Sequence, residues 1–102
     1  MLFIVIGTDG PDAAERRRAH LDAHLEWVLT AMDRLRVAGP VRNTPGGAPC
    51  MSIYILEAID EADARALVGS DPYFKAGVWQ TVEFRLFSAA AGTWVGGATW
   101  KR

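Results

Sequence analysis

The chain has 102 residues and a formal net charge of −1; half of its residues are apolar and 23% are charged. This balance is typical of a single soluble globular domain and excludes a disordered chain. The near-neutral charge argues against nucleic acid as the main partner, because phosphate binding needs a basic field. No apolar run approaches the roughly 20 residues that cross a bilayer, so no membrane partner is expected.

Cysteine usage and the start of the chain bear on location. Cys50 is the only cysteine, so an intramolecular disulfide is excluded. We interpret it as a buried strand residue, with a reactive thiol as the alternative. Residues 1–7 are apolar but short, with no positive segment before them, which predicts a first strand rather than a signal peptide. A cytoplasmic location is therefore expected.

The first third of the chain predicts a strand and a long helix. Leu2 to Ile6 is rich in β-branched residues and is typical of a strand. Turn-forming residues follow, and Asp12 is expected to cap the next helix with Glu15 as its capping-box partner. Residues 13 to about 35 lack glycine and proline and predict one helix.

Apolar residues on this helix recur at a spacing of 4-3-4-3, within an arc of about 80°. We expect this stripe to face the core; its members are Leu21, Leu25, Val28, Met32 and Leu35. His24 flanks the stripe, whereas His20 lies farther round the helix.

The remaining elements complete a β-α-β-β-α-β order. Strands are predicted over residues 36–41, 50–57 and 81–87, with a loop over 43–49. On the third strand, Ser52, Tyr54 and Leu56 share one face. Asp60 is expected to cap a helix over 61–68 that Gly69 closes. A short helical turn begins at Asp71-Pro72 and ends at Gly77.

This order predicts an α+β, ferredoxin-like domain over residues 1–87, with two helices on one face of a four-stranded antiparallel sheet. Residues 88–102 are a C-terminal extension, either an extra strand or an arm on a partner. The open sheet face must be covered, which favours a homodimer. The candidates for that surface are Tyr54, Leu56, Trp94 and Trp100.

Two residues stand out for chemistry. His24 borders the predicted core, where an imidazole is partly desolvated yet can reach a cleft for general acid/base work. The alternative is a boundary histidine bonded to a carbonyl. Asp71 precedes a proline at the first helical position, which explains it as an N-cap. Alternatively, its carboxylate accepts the ring N–H of His24 and orients it.

Other polar residues carry weaker signals. Asp9 is either a turn former or a second carboxylate of the cleft. Ser52 is a candidate site hydroxyl, although no GxSxG pattern surrounds it. Arg16 to Arg18 are expected on a solvated helix face, with the alternative that one arginine meets an anionic substrate. His20 and His24 are four residues apart, but no HExxH pattern or third histidine follows, so no metal is expected. No glycine-rich phosphate loop is present, and no cofactor is expected.

The chain resembles the YciI-like (YCII-related) family from residue 2 to about 87. The resemblance rests on short motifs along the chain: Thr8-Asp9, His24-Leu25, Ala38-Gly39-Pro40, Ser52, Ser70-Asp71-Pro72-Tyr73 and Ala76-Gly77-Val78. It implies a ferredoxin-like domain of the dimeric α/β-barrel type that pairs through its sheets. It also implies a catalytic histidine and aspartate, which fall on His24 and Asp71. The longer tail departs from the family pattern, as does the shorter segment between His24 and Gly39.

Some members of this family resemble dehydrochlorinases of hydroxylated aromatics that need no cofactor. We therefore hypothesise a small lyase or isomerase with His24 as general base and acid, supported by Asp71. Its substrate-binding residues would be Asp9, Trp27, Ser52, Tyr73 and Phe74. The alternative hypothesis is a non-catalytic ligand-binding or interaction module. In that case His24 is locked in packing and Asp71 is only a cap.

Overall fold

The computed structural model describes residues 1–101 and has a ferredoxin-like α+β architecture. Its main strands are β1 (Leu2–Asp9), β2 (Leu35–Arg42), β3 (Pro49–Glu57) and β4 (Trp79–Phe87). The helices are α1 (Ala13–Ala31), α2 (Glu61–Gly69) and the one-turn α3 (Pro72–Lys75). The four strands form an antiparallel sheet in the order β2-β3-β1-β4. The predicted fold class is confirmed.

Burial alternates along the central strands, as expected of a sheet with one covered face. On β3, Ser52, Tyr54 and Leu56 are buried while their neighbours are half-buried, so the predicted grouping is confirmed. The expectation that Tyr54 and Leu56 face a dimer partner is wrong. Their exposed fractions are 2% and 0%, because this face of β3 packs against the helices of the same chain.

The predicted apolar stripe of α1 is only partly correct, because Val28 and Leu35 pack against the core but the other three members do not. Leu21, Leu25 and Met32 are 44%, 50% and 52% exposed. The helix also stops at Ala31, and Leu35 already begins β2.

Besides Val28, the face of α1 that meets the sheet carries residues outside the predicted stripe. Ala13, Trp27 and Ala31 are buried, and Arg17 and His24 are half-buried between them. The spacing of these five residues is still helical, so they share one side. Small alanines let the helix approach the sheet, and the longer side chains fill the space beside it. Two polar side chains are thereby drawn towards the core.

The helix caps agree only in part with the sequence. Asp60 caps α2 by accepting the Asp63 N–H at 2.8 Å, as predicted. Asp12 makes no capping bond to α1, and its carboxylate lies 3.8 Å from Arg16 Nη2 instead. The helix α2 includes Gly69 and is closed by Ser70 in a right-handed conformation.

The segment after β4 folds as a small hairpin of its own. Its strands are β5 (Ala91–Gly92) and β6 (Gly97–Ala98), which pair with each other and not with the main sheet. Residues of this hairpin and of β1, β2 and β3 line a common cavity on the open sheet face. Trp94 and Trp100 remain 83% and 70% exposed. No helix among residues 1–101 is long and apolar enough to cross a membrane.

Gly7 on β1 provides a test of core packing. A Cβ at this position would lie 2.6 Å from Cδ2 of Trp79, whose ring also meets Tyr54 and Tyr73 edge-on. Because the indole is held on several sides, we expect Gly7→Ala to lower the free energy of unfolding by about 1–3 kcal/mol. Urea denaturation followed by tryptophan fluorescence measures this change.

The matched control is Gly39→Ala on β2, where an added Cβ meets no atom within 4 Å. This variant should be close to neutral. Equal effects of the two substitutions would contradict the close contact between Gly7 and the Trp79 ring.

Candidate active site

The structure brings His24 and Asp71 together. His24 Nδ1 lies 2.8 Å from Asp71 Oδ1, although 47 positions separate the two residues. Helix α1 supplies the imidazole, and the junction between α2 and α3 supplies the carboxylate. Asp71 is fully buried. The histidine and aspartate that the sequence singled out are thus hydrogen-bonded neighbours.

Asp71 is both a helix cap and the partner of His24. Its Oδ1 also accepts the Tyr73 N–H at 2.9 Å, which caps α3 behind Pro72. Its Oδ2 accepts the Tyr54 hydroxyl in a short hydrogen bond. These donors satisfy a carboxylate that would otherwise be costly to bury. The two interpretations of Asp71 made from the sequence are therefore compatible.

The bond to Asp71 fixes which ring nitrogen of His24 is basic. A carboxylate that only accepts hydrogen bonds requires the proton to be on Nδ1, which leaves the lone pair on Nε2. The imidazole stacks on the Tyr73 ring with centroids 3.8 Å apart and planes inclined by 2°. Nε2 has no hydrogen-bond partner within residues 1–101. It is therefore available to a ligand.

His24 borders a cleft between α1 and the edge strand β2. The cleft has an inner cavity of about 210 Å³ and an outer cavity of about 460 Å³. Arg17, His24, Leu25 and Pro40 line both cavities. The inner cavity reaches Ser52 and Tyr54, and the outer one reaches Leu21 and Tyr73. Together the two have the size that small-molecule sites usually show. Apolar residues and His24 line both, and Arg18 and Arg42 add positive charge at the outer cavity.

A second polar network lies beside the imidazole. Arg17 holds Asp9 with two bonds, from Nε to Oδ2 at 2.9 Å and from Nη2 to Oδ1 at 2.7 Å. Nη2 also donates to Ser52 Oγ at 2.9 Å. The side chains of Arg17 and Asp9 are only 11% and 9% exposed. Placing Arg17 on a solvated helix face was therefore wrong. Asp9, expected to bind substrate, lines neither cavity, and both of its carboxylate oxygens accept from Arg17.

The three aromatic residues expected to line the site occupy different places. Tyr73 lines the outer cavity, and its hydroxyl donates to the Arg17 carbonyl at 3.2 Å. Trp27 is buried behind His24 and donates from Nε1 to Ser70 Oγ at 2.8 Å. Phe74 is 42% exposed and lines neither cavity. The ring that sequence analysis missed is Tyr54, because it was assigned to the opposite sheet face.

Both tyrosines of the site are neutral hydroxyl donors at neutral pH. Burial, followed by the charge and hydrogen bond of Asp71, raises the pKa of Tyr54 far above its usual value. Burial also raises the pKa of Tyr73, with the nearby Asp71 charge acting in the same direction.

Two further cavities are not lined by any histidine. One of about 450 Å³ lies near the start of the chain, where Met1 pairs with Glu57 and Arg34 with Asp63. Another, of about 460 Å³, lies between the tail hairpin and the open sheet face. Within residues 1–101 there is no group of three or more His, Cys, Asp or Glu side chains placed to hold a metal ion.

Comparison with known proteins places the chain in a family. Residues 1–88 match the family described as the YCII-related domain. The chain belongs to the YCII-related family. It is 31% identical to the proteins YciI of Escherichia coli O6:H1 and of Shigella flexneri over 94 residues, which are 85% of this chain and 96% of each relative.

A solved structure of known activity also resembles this YCII-related chain. It is 5-chloro-2-hydroxyhydroquinone dehydrochlorinase (TftG) from Burkholderia phenoliruptrix AC1100, in complex with 2,5-dihydroxybenzoquinone. The match has a TM-score of 0.79 at 25% identity and covers 91% of this chain and 97% of that one.

The tautomer of His24 is directly testable. We expect the neutral imidazole of His24 to carry its proton on Nδ1, since the Asp71 carboxylate can only accept a hydrogen bond there. Nitrogen-15 shifts of the imidazole ring distinguish the two tautomers, and the exposed His20 serves as an internal reference. A proton on Nε2 of neutral His24 would contradict the arrangement.

The buried tyrosines predict a loss of stability at alkaline pH. Because the pKa of each is raised on folding, their contribution is fully present below about pH 10, the unfolded value. It is lost as the pH rises above that value. The free energy of unfolding, measured by urea denaturation at a series of pH values, should therefore fall above about pH 10.

Tyr54→Phe separates the two effects of this hydroxyl. Loss of its bond to Asp71 should lower the free energy of unfolding by about 1.5–3 kcal/mol at neutral pH. The further decline above about pH 10 should be shallower than in the unmodified protein, because one group no longer titrates on unfolding. An unchanged decline would argue against the raised pKa of Tyr54.

Proposed function

We propose that this protein is a cofactor-independent enzyme in which His24 moves protons on a small hydroxylated aromatic substrate held in the cleft. The observation that carries the proposal is the orientation of the imidazole. Its Nδ1 donates to the buried Asp71 carboxylate, so the basic Nε2 is available at the cleft. When Nε2 accepts a proton, the carboxylate stabilises the imidazolium that forms.

A halogenated hydroquinone suits this arrangement. Nε2 accepts a proton from one ring hydroxyl and returns it to the carbon that bears chlorine, which gives a keto tautomer. Loss of the proton of the para hydroxyl then forms a second carbonyl as chloride leaves with the C–Cl electron pair. The sum is a quinone and HCl, with no external oxidant. The similarity to the dehydrochlorinase supports this lyase chemistry, and an isomerase would use the same proton transfers without a leaving group.

A non-catalytic module is the less favoured alternative. It requires an imidazole locked in packing and an aspartate that serves only as a cap. His24 instead borders both cavities, and Asp71 bonds to the imidazole as well as to the helix end.

Homodimer formation and a cytoplasmic location stay predictions. A second copy on the open sheet face would cover apolar side chains that are half-buried in the single chain. These side chains are Leu2, Ile4, Ile6, Ile53 and Ile55.

The proposal predicts a specific loss of activity in His24→Gln. With 5-chloro-2-hydroxyhydroquinone as substrate, we expect kcat to fall by about 10²–10⁴-fold, the usual contribution of a positioned base. Chloride release measures turnover, and circular dichroism verifies the fold. The matched control is His20→Gln, one turn earlier on α1 and exposed, which should retain full activity. Undiminished chloride release by a folded His24→Gln protein would remove His24 from the mechanism.

A further inference from the structure

The inner cavity contains a second polar group whose donors are only partly used. Arg17 directs Nε and Nη2 to Asp9 and Ser52, but Nη1 has no hydrogen-bond partner within residues 1–101. Among residues 1–101, Trp79 Nε1 is the only side-chain donor that is both fully buried and without a hydrogen-bond partner. Arg17 Nη1 also lacks a partner, and it is therefore reachable by solvent. Arg17 lines both cavities. Its free N–H groups are therefore available where a substrate would lie.

Ser52 adds a second donor. Its Oγ accepts from Arg17 Nη2 at 2.9 Å, and its own hydroxyl hydrogen has no acceptor among the described residues. Ser52 lines the inner cavity, and its hydroxyl can therefore donate there.

The neighbouring carboxylate does not compete for a ligand. Both oxygens of Asp9 accept from Arg17, so this end of the cavity presents N–H and O–H donors. Such a lining binds a deprotonated, negatively charged oxygen more strongly than it binds a neutral hydroxyl, because charge-assisted hydrogen bonds are the stronger ones.

We propose that Arg17 and Ser52 form an oxyanion subsite that selects substrates with an ionisable ring hydroxyl. This inference rests on the proposed function: the negative charge left on the substrate when His24 accepts a proton is bound by these two donors. The expected substrates are therefore phenols and enols. Ethers of the same shape are not expected to bind at this subsite, because their oxygen has no proton to lose.

The subsite is rigid before any ligand arrives. The planar guanidinium is held by a two-point bond to Asp9, and β1, α1 and β3 each supply one of the three residues. Donors that are already oriented need no rearrangement when charge develops, which is how oxyanion sites stabilise it.

Paired probes test the inference by binding alone. 4-Nitrophenol, above the pH at which it ionises, is compared with 4-nitroanisole, which has the same ring and cannot ionise. Calorimetric titration should show the phenolate binding at least about tenfold more tightly. Arg17→Gln should weaken phenolate binding about ten- to a hundredfold and leave nitroanisole binding unchanged. The control is Arg85→Gln, an equal change of charge on an exposed residue of β4, which should have no effect.

A second variant keeps the test decisive if loss of Arg17 unfolds the protein. Ser52→Ala leaves the Arg17–Asp9 pair intact and should lower the phenolate preference about tenfold. Equal binding of the two probes, no saturable binding of either, or an undiminished preference in both folded variants would overturn the subsite.

His24→Gln separates this inference from the proposed function. The phenolate preference should persist in that variant even though turnover is lost. If phenolate binding depends on Arg17 but no catalysis is found, the proposed enzymatic function is contradicted and the subsite is not. If catalysis depends on His24 but phenolate is not preferred, the subsite is contradicted and the enzymatic function is not.

Discussion

The arrangement of this site depends on one buried carboxylate. Asp71 is inaccessible to solvent and accepts hydrogen bonds from His24 on α1, from the Tyr54 hydroxyl on β3 and from the Tyr73 amide at the start of α3. A carboxylate without such donors would be too costly to bury, so the elements that supply them are held in one relative position. The interaction that locks the fold at this point also orients the imidazole.

Tyr73 joins this centre to the second polar network. Its backbone amide donates to Asp71, its ring stacks on His24, and its hydroxyl donates to the Arg17 carbonyl. Both carboxylates of the region are thereby occupied by protein donors, Asp71 by these groups and Asp9 by Arg17. Neither competes for a ligand, and the cleft retains a basic nitrogen at one position and free donors at another.

Local sequence signals predicted the strands, the Asp71-Pro72 turn and the order of elements, because each is set by neighbouring residues. Long-range pairing decided what they missed. The alternation on β3 correctly predicted which residues share a face with Tyr54. It could not predict which face of the sheet is covered, because packing against α1 decides that. Arg17 is drawn inward by Asp9 and Ser52, and Ser52 lies 35 positions away. The spacing of apolar residues within one helix or strand cannot predict partners that are distant in the sequence.

The same long-range hydrogen bonds explain why α1 turns polar residues towards the sheet and leaves apolar residues exposed. The apolar period would bury Leu21 and Leu25, yet the helix turns Arg17 and His24 towards the sheet and leaves those leucines 44% and 50% exposed. Burying polar groups in a domain this small costs stability unless they find partners; here Arg17 bonds to Asp9 and Ser52, and His24 bonds to Asp71. The displaced leucines line the outer cavity. They therefore supply apolar surface at the cleft where Phe74, predicted to bind substrate, does not reach it. The helix gives the cleft both polar groups and apolar surface.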